Sequence, residues 1–433
     1  MKNLQLKRGK EDSLLRFHPW VFSGAIQHVD EGIAEGEVVR VLKSDGGFIA
    51  IGHYQAGSIA VRVLSFRDVE IDARFWHSRL ASALAMRQAI GIADNPQNNT
   101  YRLVHGEGDH LPGLIIDVYG KTAVMQAHSI GMHLSRVEIA EQLVSVMGSR
   151  IENVYYKSET TLPFMDDMEN GFLYGGSDDN TAVENGLMFY VDWLRGQKTG
   201  FFVDQRENRA LLERFSAGKK VLNMFCYTGG FSFYAMRGGA KLVHSVDSSA
   251  KAIELTNRNV SLNFPGDTRH KAFCEDAFKF LDSLECRTES VEFLRPSGSK
   301  RAELERATAA DSSSRNSCGA VANSKLSTLN YDLIILDPPA FAKHRGALHN
   351  ALKGYTRLNM KAMQKIQPGG ILFTFSCSQV VTKDHFRNAV FTAAAQARRK
   401  VRILHQLHQP ADHPINIYHP EGEYLKGLVL YVE

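Results

Sequence analysis

The sequence predicts an α/β fold: a doubly wound, mostly parallel sheet over 191–433, preceded by a β-rich domain over 1–72 and a small α+β domain over 73–190. Three observations predict it. From about residue 200, strand-like runs alternate with helical spacing, and Tyr331-Asp332-Leu333-Ile334-Ile335-Leu336-Asp337 and Ile371-Leu372-Phe373-Thr374-Phe375 are nearly all apolar, as strands buried on both faces must be. The first 70 or so residues instead carry short strands at regular spacing, separated by turn residues. The total of 433 residues amounts to about three domains at roughly 150 residues each.

The elements follow in order. Residues 37–42, 48–52 and 59–64 read as strands of a small barrel-like domain, the first two joined by the turn Ser44-Asp45-Gly46-Gly47. Trp20 and Phe22 are expected in its core, because an alternating β pattern needs buried aromatics. Residues 74–92 place apolar side chains at helical spacing and stop near Gly91. Residues 114–119 and 122–127 form a hairpin turning at Gly120-Lys121; 132–147 is a helix and 153–156 a strand. A strand over 220–225 enters Cys226-Tyr227-Thr228-Gly229-Gly230, followed by a helix, a strand over 241–247 and another helix. Residues 287–329 are rich in Ser, Arg, Glu, Ala and Asn with little apolar periodicity, and read as a mobile surface insertion.

Composition excludes several classes. Hydrophobic residues at 44% and charged residues at 23% rule out a disordered, collagen-like or coiled-coil chain. The net charge of +4 permits a nucleic-acid partner without arguing for one. Five cysteines, none in a C-x-x-C pair, speak against a disulfide framework or a zinc knuckle. His405, His408, His413 and His419 show no metal-like pairing, so no metal is expected. The first 15 residues are polar and charged, unlike a signal peptide, and the longest uncharged run, 221–236, is too short to span a bilayer. A cytoplasmic address away from membranes is the expectation.

Four features suggest a nucleotide-type site. The turn at Gly229-Gly230 would let a ligand approach the backbone. Asp247, 18 residues after Gly229, ends the next strand, where a ribose diol would be held. Asp276, in Glu275-Asp276-Ala277, follows another short strand and could meet an adenine amino group. Asp337 opens Asp337-Pro338-Pro339-Ala340-Phe341 at the tip of the apolar strand. Any one of these acids would serve equally as a helix cap. Their order on successive strands resembles class I S-adenosylmethionine-dependent methyltransferases. The G-x-G-x-x-G run of NAD dehydrogenases is missing.

Phe375-Ser376-Cys377-Ser378 sets a thiol at a strand end on the same edge as Asp337. Carbon 5 of a pyrimidine is too weak a nucleophile to take a methyl group; a thiolate added at carbon 6 makes it enamine-like. A buried structural cysteine is the ordinary alternative. Cys226, in the glycine turn, reads as packing, and Cys274, Cys286 and Cys318 as inert residues at a helix edge or in the insertion.

Longer runs extend the resemblance. They are Arg16-Phe17-His18-Pro19-Trp20-Val21-Phe22-Ser23-Gly24-Ala25, Arg102-Leu103-Val104-His105-Gly106-Glu107-Gly108-Asp109, Gln197-Lys198-Thr199-Gly200-Phe201-Phe202-Val203-Asp204-Gln205-Arg206, Ala411-Asp412-His413-Pro414 and Pro420-Glu421-Gly422-Glu423-Tyr424-Leu425-Lys426-Gly427. With the motifs above, the chain outside 287–329 resembles the RlmI-type family of ribosomal RNA large-subunit cytosine-5 methyltransferases. The resemblance implies a PUA domain, a central α+β domain and a Rossmann-like catalytic domain with a seven-stranded sheet. It implies S-adenosyl-L-methionine as cofactor, 23S rRNA as partner, Cys377 as nucleophile and Asp337 as the group holding the cytosine edge. It also implies Asp247 on the ribose and Asp276 on the adenine, with Asn223, Phe225, Tyr227 and Gly229 lining the cofactor path. Asp204 and Arg206 would help shape the site. A homodimer is left open. Two departures stand out: Ala340 occupies a position where the family often has lysine, with Lys343 nearby, and the 287–329 insertion is outside the usual pattern.

Lys7, Arg8, Lys10, Arg16, His18, Arg40, Arg62 and Arg398-Arg399-Lys400 could contact RNA phosphates, although a solvated face or a helix C-terminus explains them as well. Two rivals to the cytosine-5 reading remain. An amine methyltransferase acting through the Asp-Pro-Pro loop on RNA guanine or protein would not need Cys377. An RNA-binding protein on a degenerate methyltransferase scaffold would not bind the cofactor.

Overall fold

The computed structural model describes residues 1–162, 169–284 and 330–433. The expected insertion over 287–329, together with Cys286 and Cys318, lies outside the described residues.

The N-terminal sheet comprises β1 (Lys2–Leu6), β2 (Trp20–Phe22), β3 (Ile26–Val29), β4 (Val38–Leu42), β5 (Phe48–Tyr54) and β6 (Ile59–Ser65), in the order β2-β6-β5-β4-β1-β3, with the short helix α1 (Asp12–Leu15) between β1 and β2. Alternation drives Leu4, Leu6, Val39, Val41, Val61 and Val63 into one core. The same alternation corrects the expectation for Trp20 and Phe22. On the edge strand β2 it is Val21 that points inward, so Trp20 is half-buried and Phe22 is 45% exposed.

The central sheet comprises β7 (Thr100–His105), β8 (Leu114–Tyr119), β9 (Thr122–Ala127), β10 (Asn153–Tyr156) and β11 (Gly171–Tyr174), in the order β11-β10-β9-β8-β7. It carries α2 (Ala73–Ala89), whose N-cap Asp72 accepts the Phe75 N–H at 3.0 Å. The single helix expected over 132–147 is two, α3 (Ile130–Leu134) and α4 (Arg136–Met147). Ser135 closes one and opens the other, and α3 starts earlier because the Ser129 hydroxyl caps it. Inside α3, Gly131 leaves room for the His53 ring of the N-terminal sheet, which a Cβ would meet at 2.1 Å. A hairpin, β12 (Thr181–Glu184) and β13 (Leu187–Tyr190), then leads through α5 (Arg206–Arg214) into the third sheet.

That sheet holds β14 (Lys220–Met224), β15 (Leu242–Asp247), β16 (His270–Cys274), β17 (Tyr331–Leu336), β18 (Ile366–Ser376), β19 (Val401–Leu407) and β20 (Lys426–Val432). Its order is β16-β15-β14-β17-β18-β20-β19; neighbours from β16 to β18 are parallel, and β20 runs antiparallel to both β18 and β19. Val221, Leu333, Ile335 and Phe373 face α6 (Gly230–Arg237) and α7 (Ala250–Asn263). Leu222, Met224, Ile334, Leu336 and Leu372 face α8 (Ala277–Ser283), α9 (Leu348–Lys365) and α10 (Lys383–Ala397). Burial on both faces explains why these strands read as apolar runs. Cys274 ends β16 and is not at a helix edge. Strand order reverses between β14 and β17, which opens a crevice at their C-terminal ends, where ligands bind in such sheets. No described helix is long and apolar enough to cross a membrane.

Candidate active site

The turn leaving β14 carries three left-handed residues within five: Phe225 (φ 58°), Tyr227 (φ 46°) and Gly229 (φ 86°). Only glycine adopts this region without strain, so Phe225 and Tyr227 are held there by their surroundings. A Cβ on Gly229 would meet the Phe233 ring at 2.6 Å and Thr256 Cγ2 at 2.8 Å. Asp247 fixes the turn from the next strand: one carboxylate oxygen accepts Tyr227 N–H at 3.0 Å, the other Ser249 N–H at 2.9 Å. Asn223, buried on β14, donates to Ser232 Oγ at 2.9 Å, while its Oδ1 has no partner among the described residues. Asp276 is the exposed N-cap of α8 and accepts Lys279 N–H at 3.0 Å. Asn223, Phe225, Tyr227, Gly229, Asp247 and Asp276 thus share one edge of the sheet. Cys226 is buried beneath the turn, its Sγ 3.9 Å from Thr256 Oγ1.

Asp337 follows β17 and Cys377 follows β18; the two strands are parallel neighbours, with Leu336 opposite Thr374. Burial pushes the Asp337 carboxyl up to about 7; the Asp204 carboxylate adds to the rise, while a hydrogen bond from Gln205 opposes it. Burial likewise pushes the Cys377 thiol up to about 11, Lys198 opposing it and Asp337 and Asp204 reinforcing it. Asp204 itself is buried yet held low, because Lys198, His413 and the Tyr424 hydroxyl outweigh desolvation. Tyr424 donates to Asp204 Oδ2 at 2.7 Å; Asp204 Oδ1 has no partner among the described residues. A cavity of about 300 Å³ opens on Cys377, lined among others by Ala340, Lys343, Ser378 and Tyr424. The Ser378 hydroxyl donates to Ala342 O at 2.5 Å and ties the two loops together.

Arg206 stands apart from the cofactor turn in its bonding. Its guanidinium grips Asp412 at 2.8 and 3.0 Å and also donates to Thr100 O, all buried. Arg399 is likewise occupied, donating to the carbonyls of Glu433, Met363 and Ile366. Conversely, Lys198, Gln205, His413, Tyr424 and Lys426 belong to the neighbourhood of Cys377, Asp337 and Asp204. The only sequence signal for them is membership of the 197–206, 411–414 and 420–427 runs; spacing assigns them nothing. No described group of His, Cys, Asp and Glu could hold a metal ion.

Comparison with known proteins gives this geometry a family. A PUA-like domain family matches residues 4–66, and an S-adenosylmethionine-dependent methyltransferase family matches residues 166–287. Ribosomal RNA large subunit methyltransferase I of Tolumonas auensis is 37% identical, covering 98% of this chain and 98% of its own. The chain belongs to the ribosomal RNA large subunit methyltransferase I family. The Shewanella frigidimarina member is also 37% identical, over 99% of each chain. Among solved structures, a SAM-dependent methyltransferase from Streptococcus mutans and a methyltransferase complexed with SAH each give a TM-score of 0.78 at 21% identity, over 100% of both chains; they establish the fold alone.

The protein is therefore an S-adenosylmethionine-dependent methyltransferase with an N-terminal PUA-like domain. The crevice suits that cofactor. Asn223 Oδ1, with no partner among the described residues, offers a buried acceptor, and Asp247 lies only partly covered at the strand end. When bound, S-adenosylmethionine supplies an electrophilic methyl group on a sulfonium.

Proposed function

We propose that this enzyme methylates carbon 5 of a cytosine in 23S ribosomal RNA through a covalent adduct on Cys377. The observation that supports it most is the pairing of Cys377 with Asp337 at the ends of neighbouring strands, beside the cofactor turn. The ribosomal substrate follows the relatives' name. In this reading, the Cys377 thiolate adds to carbon 6, and the electron pair released to carbon 5 takes the methyl group. A base then removes the carbon 5 proton, the double bond re-forms, and Cys377 leaves as a thiolate.

Asp337 suits cytosine in its protonated state. A neutral carboxyl donates to ring nitrogen 3 and accepts from the 4-amino group, the complement of the cytosine edge. A carboxyl held up to about 7 keeps that proton in much of the enzyme near neutrality. Asp247 would hold the ribose and Asp276 the adenine, while Asn223, Phe225, Tyr227 and Gly229 line the path between. Asp204 acts through Tyr424 and through its charge, and Arg206 through the scaffold. Lys7, Arg8, Lys10 and Arg16 are exposed on the PUA-like domain and would meet phosphates.

One observation favours an amine methyltransferase instead: burial and two carboxylates hold Cys377 as a thiol, pushed up to about 11. Labelled methyl transfer to unmodified 23S rRNA, wild type beside Cys377→Ala, separates the two. The proposal expects 5-methylcytidine from the wild type and none from the variant. A methylated amine, or an unaffected variant, overturns it.

A further inference from the structure

The 420–427 run enters the cysteine's environment through Lys426. On β20, Lys426 lies opposite Ser376, the last residue of β18, in antiparallel register. Its ammonium donates to Ser378 O at 2.6 Å, so it is fastened to the residue after Cys377, and only 5% of Lys426 is exposed. A lysine this buried ordinarily has an anionic partner. Its charged surroundings are Cys377 and Glu423, which favour its charge, and Lys383, which opposes it. Lys383 is already paired with Glu423 at 2.5 Å. Around Cys377 itself stand Asp337, Asp204, Lys198, Lys426 and the Tyr355 hydroxyl. Lys198 is exposed on its loop, with its ammonium 4.8 Å from the Phe202 ring. The fixed cation of the set is thus Lys426.

We propose that Lys426 is a positioning residue whose buried ammonium, anchored on the Ser378 carbonyl, is the standing counter-ion of the Cys377 thiolate. The inference rests on the reading of Cys377 as nucleophile. It supplies what that reading requires, a positive charge that offsets the neighbouring carboxylates as the thiol ionises and again as the cysteine is expelled. At neutral pH, below the value of about 8 at which the buried ammonium would lose its charge, the Cys377 proton leaves to solvent and Lys426 keeps its own. Depression of the ammonium to about 8 by burial is relieved as the thiolate forms beside it.

The test is the pH dependence of Cys377 alkylation by iodoacetamide, followed by peptide mass, in the full-length wild type, Lys426→Met and Lys426→Arg. Cofactor binding is measured on each as a check of folding. The expectation is about tenfold slower alkylation below about pH 8 in Lys426→Met, where the wild-type ammonium still holds its charge, with Lys426→Arg close to wild type. Methyl transfer by Lys426→Met should fall at neutral pH and recover at higher pH. An unchanged alkylation rate below about pH 8 in a Lys426→Met protein that binds the cofactor overturns the proposal and leaves Lys426 a structural tie. Lys198→Ala, an exposed change with little folding liability, gives the comparison: slower alkylation confined to Lys198→Ala also overturns it. Alkylation is independent of methyl transfer, so an unaffected Cys377→Ala activity would sink the nucleophile reading without touching this measurement.

Discussion

Arg206 and Asp412, 206 residues apart in the chain, meet in a buried two-pronged ion pair at 2.8 and 3.0 Å. Asp412 also accepts the Arg102 backbone N–H at 3.0 Å, while its own carbonyl accepts from the Arg87 guanidinium at 2.7 Å. One residue therefore joins α2 through its carbonyl, and β7 and the start of α5 through its carboxylate, to the C-terminal loop. Burial pushes Asp412 up, but His413 and Arg206 overcome it and hold the carboxyl well below its usual range.

Asp412→Asn leaves the buried Arg206 charge without its two-pronged partner, with only the more distant Glu207 at 3.7 Å, which costs up to about 3–5 kcal/mol. Denaturant unfolding measures it. In the wild type the depressed carboxyl contributes stability above the ordinary carboxylate range, about pH 4, and loses it as pH falls through the folded value. Asp412→Asn should flatten that acid limb.

Asp337 has the opposite sign. Its folded carboxyl is held up to about 7 by burial, whereas an unfolded aspartate ionises near about 3.9. Between those values the folded chain holds a proton that the unfolded chain has lost, so stability falls as pH rises from about 4 to about 7 and is level above. Asp337→Asn should remove this slope and be more stable than wild type at pH 8, by an amount on the order of a few kcal/mol at most. Parallel thermal melts across pH, with equal slopes as the contrary result, decide it.

Asp247 ties the strained turn to β15 through the Tyr227 amide and holds the entry to α7 through the Ser249 amide. Asp247→Ala removes both hydrogen bonds and the acceptor proposed for the ribose. Hydrogen bonds to a charged group contribute about 1.5–3 kcal/mol. S-adenosylmethionine affinity should therefore fall at least about tenfold by calorimetry, with the overall fold retained by circular dichroism.

Gly131 is where α3 and His53 meet. Adding a methyl group forces the ring, which is buried and neutral, out of its place. Gly131→Ala should destabilise the protein by about 1–3 kcal/mol. Proteolysis should then cut first at the junction between the N-terminal and central sheets.

Much of the catalytic core was legible because each step is local. Buried parallel strands must be apolar throughout, so Tyr331–Leu336 reads as a strand from its residues alone. A tight turn after β14 needs a left-handed residue, so Gly229 marks it. Helix edges were less legible where two local signals compete: apolar spacing runs through Ser135, but Ser129 starts a separate helix upstream. Phe22 misleads for a similar reason. Aromatic content argues for burial, while alternation on a three-residue edge strand sends it outward.

By itself the sequence determined the strand–turn–helix rhythm, the acids at strand ends and the cysteine beside them, since spacing along the chain sets which sheet edge they share. Only the tertiary structure decided their partners. Arg206 faces Asp412 instead of the cofactor turn, Tyr424 reaches Asp204, and Lys426 reaches Ser378, next to Cys377. Those contacts join positions 206, 220 and 48 residues apart. A charge takes its role from what it is buried against, and burial exists only once distant segments have packed.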